Sequence, residues 1–228
     1  MFDAARKHGV HLVEAYPYLA QPMTIKAREL VAGGAIGRVQ LIRASFGVPF
    51  SDATNIRLMP DLAGGSLMDA GSYAVSFVRV MAGERPTRVS AVANWAATGT
   101  DQTLVATVEF KSGLLAQVAS SFATGYHRHA QVAGDAGSLE TAYLNHPPMG
   151  GPAEFQIRRG PTVATASEAV AVTGGNGFLA EAEQFARLVG GDKAAWTGAT
   201  EVESIDIALI LEAALKSART GAPVEIAG

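Results

Sequence analysis

Apolar positions follow two different periods along the chain. Over 102–110, Leu104, Ala106, Val108 and Phe110 alternate with Thr103, Val105, Thr107 and Glu109. Over 114–122, Leu114, Ala116, Val118, Ser120 and Phe122 alternate with Leu115, Gln117, Ala119 and Ser121. A period of two with one apolar face predicts strands packed on a core, and Lys111-Ser112-Gly113 is the hairpin turn between them. Strands are also expected at 39–46, 87–96 and 128–133, with weaker ones near 137–142, 153–159 and 168–172. The second set of positions in the two best strands is small and semi-apolar, with one carboxylate, and suits burial against a second copy of the chain.

Elsewhere the spacing is helical. Met23, Ala27, Leu30 and Val31 follow Pro22, which fits a first helical turn because its missing N–H is not needed there, and Gly33-Gly34 ends the run. A helix is expected from Gly65 to Met81, after a loop at 52–64, and another through Phe178, Ala182, Phe185, Ala186 and Val189. The last helix opens on Thr200 and Glu203, the spacing of a capping box, and stops at Gly221 and Pro223. Strands in succession followed by helices predict an α+β fold, a large and mostly antiparallel sheet with helices on one face. The first residues read differently. A short helix ends at Gly9, and Val10–Val13 lacks alternation, as in a parallel strand covered on both faces. Residues 1–20 therefore read as the end of another unit, and 21–228 as a domain of their own.

Composition narrows the function. Of 228 residues, 48% are hydrophobic and 17% charged, below the roughly 25% of an average globular chain. The net charge is −3 without a Lys/Arg run, which argues against a nucleic-acid or anionic-membrane partner. The absence of cysteine excludes disulfides, thiolate metal sites and cysteine nucleophiles. No apolar run approaches the ~20 residues of a membrane span, and the N-terminus lacks a signal-peptide stretch, so a cytoplasmic location is expected.

The chemistry-bearing stretch is NIRLMPDLAGGSLMDAGSY, Asn55 to Tyr73. Asp69 and Tyr73 are four apart, which on a helix places them on one face. An Asp–Tyr pair can orient a hydroxyl and exchange its proton, given a cation near a phenol that otherwise titrates near ~10. An ordinary core-edge tyrosine with a polar neighbour meets the same spacing. Gly71 costs about 1 kcal/mol in a helix relative to alanine, which calls for the close approach of a substrate or another backbone. Arg57, His127 and Arg128 could line a pocket for hydroxyls or an anionic group. His127 and His129 alternate on one strand with no third ligand nearby, so no metal site is expected. Gly33-Gly34-Ala35-Ile36-Gly37 follows a helix and precedes a strand, the reverse of a dinucleotide loop, and Gly174–Gly177 lacks the rest of that pattern.

The segment GGSLMDAGSYAVSFVRVMAGERP (64–86) resembles the catalytic helix of the glucose-fructose oxidoreductase / inositol dehydrogenase / MocA (Gfo/Idh/MocA) family, in its tyrosine-bearing branch with dihydrodiol and xylose dehydrogenases. KHGVHLVEAYPY (7–18), GAIGRVQLIRASF (34–46), NIRLMPDL (55–62), FLAEAEQFARLV (178–189) and SARTGAPVEI (217–226) resemble it in the same order. The resemblance implies an oxidoreductase for CH–OH groups of a sugar, polyol or diol. Tyr73 would be the acid/base and Asp69 the orienting carboxylate. It also implies a Rossmann domain that binds NAD or NADP in a complete member, with 1–20 its remnant and 21–228 the substrate-binding and oligomerisation domain. Neither the glycine-rich loop nor the Glu-Lys-Pro lysine expected beside the Asp–Tyr pair occurs in this sequence, so no cofactor binding is expected of this chain alone. Leu19 and Met59 stand where relatives often carry arginine and aspartate. A non-enzymatic binding or assembly module, and a cofactor-free epimerase or lyase, are the competing functions.

Overall fold

The computed structural model describes residues 1–50, 52, 54–147 and 153–226. Nine strands form one sheet: β1 (Val39–Gly47), β2 (Pro86–Trp95), β3 (Asp101–Phe110), β4 (Leu115–Ser121), β5 (His127–Gly134), β6 (Gly137–Thr141), β7 (Glu154–Arg159), β8 (Glu168–Ala171) and β9 (Val224–Glu225). Their order is β8-β7-β6-β5-β1-β4-β3-β2-β9. Every pairing is antiparallel except that of β1 with β4. Five α-helices accompany it: α1 (Phe2–His8), α2 (Pro22–Ala32), α3 (Ser72–Ala82), α4 (Gly177–Val189) and α5 (Glu201–Thr220).

The alternation sorts the sheet's faces as its pattern requires. Leu104, Ala106, Val108, Ala116 and Val118 are buried with Phe77 and Val78 of α3 and Ile207 and Ile210 of α5 in one core. On the opposite face Val92, Val105 and Leu115 are exposed. Register aligns Val92 with Val105, Val105 with Ala119, and Ala119 with Ser45, so these positions form a row across four strands.

α5 carries the reciprocal cap its sequence predicts. Glu203 accepts from the Thr200 N–H at 2.8 Å and donates its own N–H to Thr200 Oγ1 at 3.3 Å. Gly221 then ends the helix at φ 68. Helices α3 and α5 are tied by charge: Asp206, fully buried, accepts from Arg79 Nε and Arg85 Nε, each at 2.8 Å.

Two expectations need correction. Val10–Val13 is no strand; the segment has no ladder partner among the described residues, Val10 is exposed, and its N–H turns back to Ala5 O at 3.0 Å. The helix expected from Gly65 to Met81 is not continuous. It opens with a wide turn, Leu67–Gly71, closed by a bond from Gly71 N–H to Ser66 O at 2.8 Å, and becomes α-helical at Ser72. The loop before it is also more ordered than expected, with single tight turns at Ile56–Leu58 and Pro60–Leu62.

Candidate active site

The wide turn is held at its start and at its end. Asp101, the first residue of β3, is buried; its Oδ2 accepts from Leu67 N–H at 2.7 Å and Ser66 Oγ at 2.8 Å. Ser66 Oγ also meets Ser120 Oγ of β4 at 2.9 Å. Burial pushes the Asp101 carboxyl above its ordinary value, against the pull of these hydrogen bonds. Gly71 lies so close to β4 that an added Cβ would stand 3.0 Å from the Ser120 Cβ and 2.8 Å from Leu67 Cδ1. The glycine is there because the helix start runs against the sheet. Wide turns of this i→i+5 kind are concentrated at functional sites.

Asp69 projects from this turn and meets Arg57. Arg57 Nε lies 2.9 Å from Asp69 Oδ2, an ion-pair contact whose angle is not that of a hydrogen bond, with both side chains over a third exposed. The Arg57 guanidinium also lies over the Phe50 ring at 5.2 Å. Asn55 holds this loop by accepting the Arg57 N–H at 3.0 Å. The recess beside the pair, of about 200 Å³, is lined by Ile56, Leu62, Gly64 and Met68.

Tyr73, half-buried on the first turn of α3, faces a cluster that holds all five tyrosines of the chain. Its ring lies 5.4 Å from Tyr16, 6.2 Å from Tyr18 and 5.9 Å from Phe46. Arg128 of β5 fills the centre. Its guanidinium carbon stands 4.6 Å from the Tyr143 ring centre, 4.7 Å from Tyr73, 4.8 Å from Phe46 and 5.5 Å from Tyr18. Of the three tyrosines over which it lies, two commit their hydroxyls. Tyr18 pairs with Ser76 Oγ at 2.9 Å, and Tyr143 donates to Ser45 O at 2.8 Å. Both are fully buried, which drives their phenols far above the ordinary value. Tyr73 makes no hydroxyl hydrogen bond to any described residue and is the least buried of the three.

The structure thus brings Asp69 to Arg57 and Tyr73 to Arg128. His127 stands apart: it alternates with Arg128 on β5, is exposed, and its Nδ1 lies 3.1 Å from Gly125 O. His129, on the same side as His127, has Nε2 3.7 Å from Glu140. Among the described residues no group of three or more His, Asp or Glu could hold a metal ion. Leu19 is fully buried in the core. Tyr16, Tyr18, Phe46 and Tyr143 were not legible as site residues. The Tyr-Pro-Tyr spacing at 16–18 is a weak signal, whereas Tyr143 lies 70 residues beyond Tyr73 with nothing local to mark it.

The glycine clusters do not fit a dinucleotide. Gly177 opens α4, but its N–H donates to Asn145 O at 2.9 Å and an added Cβ would stand 2.2 Å from Pro17 O, so its backbone is used within the domain. The Gly33–Gly37 segment closes on itself, with Gly34 N–H on Val31 O and Gly37 N–H on Gly34 O, each at 3.0 Å. The N–H groups of Gly34, Gly37 and Gly177 are thus taken up within the domain.

Residues 24–140, which include β1, the wide turn, Tyr73 and Arg128, match the model of the GFO/IDH/MocA C-terminal domain. The chain belongs to the GFO/IDH/MocA oxidoreductase family. It is 36% identical over 234 residues to D-xylose 1-dehydrogenase (NADP(+)) 2 of Haloferax volcanii, covering 99% of this chain and 68% of that protein. It is 31% identical over 141 residues to a trans-1,2-dihydrobenzene-1,2-diol dehydrogenase of Danio rerio, covering 61% of this chain and 42% of that one. Among solved structures, the aldose-aldose oxidoreductase of Caulobacter crescentus complexed with glycerol superposes with a TM-score of 0.85 at 25% identity, over 99% of this chain and 67% of that one. A levoglucosan dehydrogenase in complex with NADH and levoglucosan has the same fold, with a TM-score of 0.82 at 19% identity over 100% of this chain and 69% of that one. This GFO/IDH/MocA member thus spans roughly two thirds or less of the length of these relatives. None of its described helices is long and apolar enough to cross a membrane.

Proposed function

We propose that this chain is the substrate-binding and catalytic unit of an NAD(P)-dependent oxidoreductase acting on a CH–OH group of a sugar, polyol or diol. The observation that carries the reading is the Tyr73 hydroxyl beside Arg128, without a hydrogen bond to any described residue, where Tyr18 and Tyr143 have committed theirs. Tyr73 takes the hydroxyl proton of the substrate in oxidation and returns it in reduction. Asp69, held in place by Arg57, accepts a hydrogen bond from the substrate and orients it. The relatives' names, a xylose dehydrogenase and diol dehydrogenases, favour a small polyhydroxylated substrate. The nicotinamide belongs, in this reading, to a nucleotide-binding domain whose last stretch is residues 1–20, with 21–228 as the substrate domain. The exposed row through Val92, Val105 and Ala119 is the proposed contact between copies.

The test is dehydrogenase activity toward aldoses and trans-diols in the protein that carries this chain behind a nucleotide-binding domain. Tyr73→Phe should lower kcat by roughly 10²–10⁴, the usual worth of a positioned acid/base, with folding preserved. An unchanged kcat, with the chemical step shown to be rate-limiting, returns Tyr73 to a packing role.

The glycine geometry favours a second reading for the chain by itself, a binding or assembly module without a cofactor of its own. Calorimetry of the 228-residue chain with NADH and NADPH separates the two states. Micromolar binding there overturns the modular reading.

A further inference from the structure

Arg128 is buried without a carboxylate. It is 8% exposed, and among the described residues its one hydrogen bond runs from NH2 to Asn145 Oδ1 at 3.2 Å, while Nε has no partner. Buried charges are ordinarily paired, and in this protein Arg79 shows the usual solution, an aspartate at 2.8 Å. Among the described residues Arg128 is compensated by Asn145 and by four aromatic faces, at 4.6–5.5 Å. The cage is also built under strain. Tyr143 sits at φ 38, a region that a non-glycine residue adopts at a cost and that clusters at functional sites. Burial draws the guanidinium below its ordinary value, yet arginine does not deprotonate in proteins. A fixed, water-shielded positive charge therefore lies against Tyr73.

We propose that Arg128 is a positioning residue for Tyr73, its buried charge favouring the phenolate that Tyr73 becomes when it gives up its proton. The inference rests on the acid/base reading of Tyr73 and deepens it. Arg128 brings a cation to Tyr73 from the sheet side. The other groups facing Tyr73 do not supply one. Tyr16 and Tyr18, from the segment before α2, are neutral phenols. Phe46 of β1, with the exposed Tyr126 behind it, brings no charge. Asp69 on the same helix start is anionic, and its charge is met by Arg57. The net positive contribution comes from Arg128.

Tyrosinate absorbance tests this in the chain itself. The difference between the alkaline titrations of the chain and its Tyr73→Phe variant isolates the midpoint of Tyr73, with near-ultraviolet circular dichroism confirming the fold across the range. The same difference is then taken in Arg128→Met and Arg128→Gln backgrounds. Gln keeps a donor for Asn145 if Met does not fold. The midpoint should rise by about one unit or more, the effect of losing an opposite charge at this range, and Arg128→Lys should recover part of the rise because it keeps the charge without the planar stack. An unmoved midpoint in either folded neutral variant overturns the proposal and makes Arg128 a packing residue. The activity assay is independent of this. If Tyr73→Phe leaves kcat intact, the proton-transfer reading falls while the coupling stands. An inactive Tyr73→Phe with an unmoved midpoint removes the coupling alone.

Discussion

Asp101 Oδ2 accepts the backbone N–H of Leu67 at 2.7 Å, across 34 residues of sequence. The bond joins the start of a central strand to the start of the turn that carries Asp69. A carboxylate at a helix start satisfies an N–H that has no partner within the helix. Asp101→Ala should therefore leave Leu67 N–H buried and unbonded, at a cost of about 1–3 kcal/mol. Asp101→Asn, whose amide oxygen can still accept, should cost less. Urea unfolding of the two variants checks the order. Equal midpoints would show that the carboxylate does not hold the turn.

Asp206 permits a sharper contrast. Arg79 and Asp206 are both buried, whereas Arg85 is nearly half exposed. Asp206→Ala strands a buried guanidinium and should destabilise the chain by about 3–5 kcal/mol. Arg85→Ala removes only a solvated partner and should cost about 0–1 kcal/mol. Thermal or chemical melting that ranks them the other way would contradict the described geometry.

Glu181 of α4 sets a pH dependence. Desolvation raises its carboxyl from 4.5 to about 7, against a hydrogen bond from the Tyr16 N–H. Between these values the folded chain keeps a proton that the unfolded chain has released. This group's contribution is therefore full below pH 4.5 and falls as pH rises toward about 7. Glu181→Gln should remove that decline from the Tm-versus-pH profile. An identical slope in the variant and the parent assigns it elsewhere.

The open sheet face predicts self-association. A stable contact should bury at least about 1,000 Å² in total, and two-fold pairing is the commonest closed arrangement. Val105, Thr107 and Ala119 lie on this face, so Val105→Arg, Thr107→Arg and Ala119→Arg should yield monomers by sedimentation at micromolar concentration without loss of fold. A monomeric parent, or a dimer indifferent to all three changes, removes this interface.

Strand positions were readable because each depends on alternation that neighbours impose locally, as in Leu104–Phe110, and the last helix because Thr200, Glu203 and Gly221 are its own end signals. Two local readings failed for a shared reason. Val10–Val13 has strand-like composition, but a strand requires a partner, and no described segment pairs with it. The spacing of Asp69 and Tyr73 suggested a regular helix, but Asp101 and Ser120, distant in sequence, select the wide turn. Asp69, Tyr73 and Arg57 stood within one short motif and could be picked out together. Arg128 could be picked out as a pocket residue, but its aromatic cage could not, because Tyr18, Phe46 and Tyr143 come from separate elements and meet it only in the folded chain.

The parallel pairing of β1 with β4 governs the order in which the chain can assemble. β1 is the first strand to be made, yet it lies in the interior of the sheet, and both its neighbours come much later, β4 from Leu115 and β5 from His127. One of its edges stays unpaired until β4 has been synthesised and the other until β5 has. Hairpins β2–β3–β4 and β5–β6–β7 can close locally, but the two halves of the sheet join only across β1, through two long loop closures. The Phe46 and Arg128 walls of the cage form at that same junction. A ribosome-bound chain stalled before β4 would therefore carry the Asp69–Tyr73 segment without the surface that shapes it, and the cage is complete only once β5 and Tyr143 have been made.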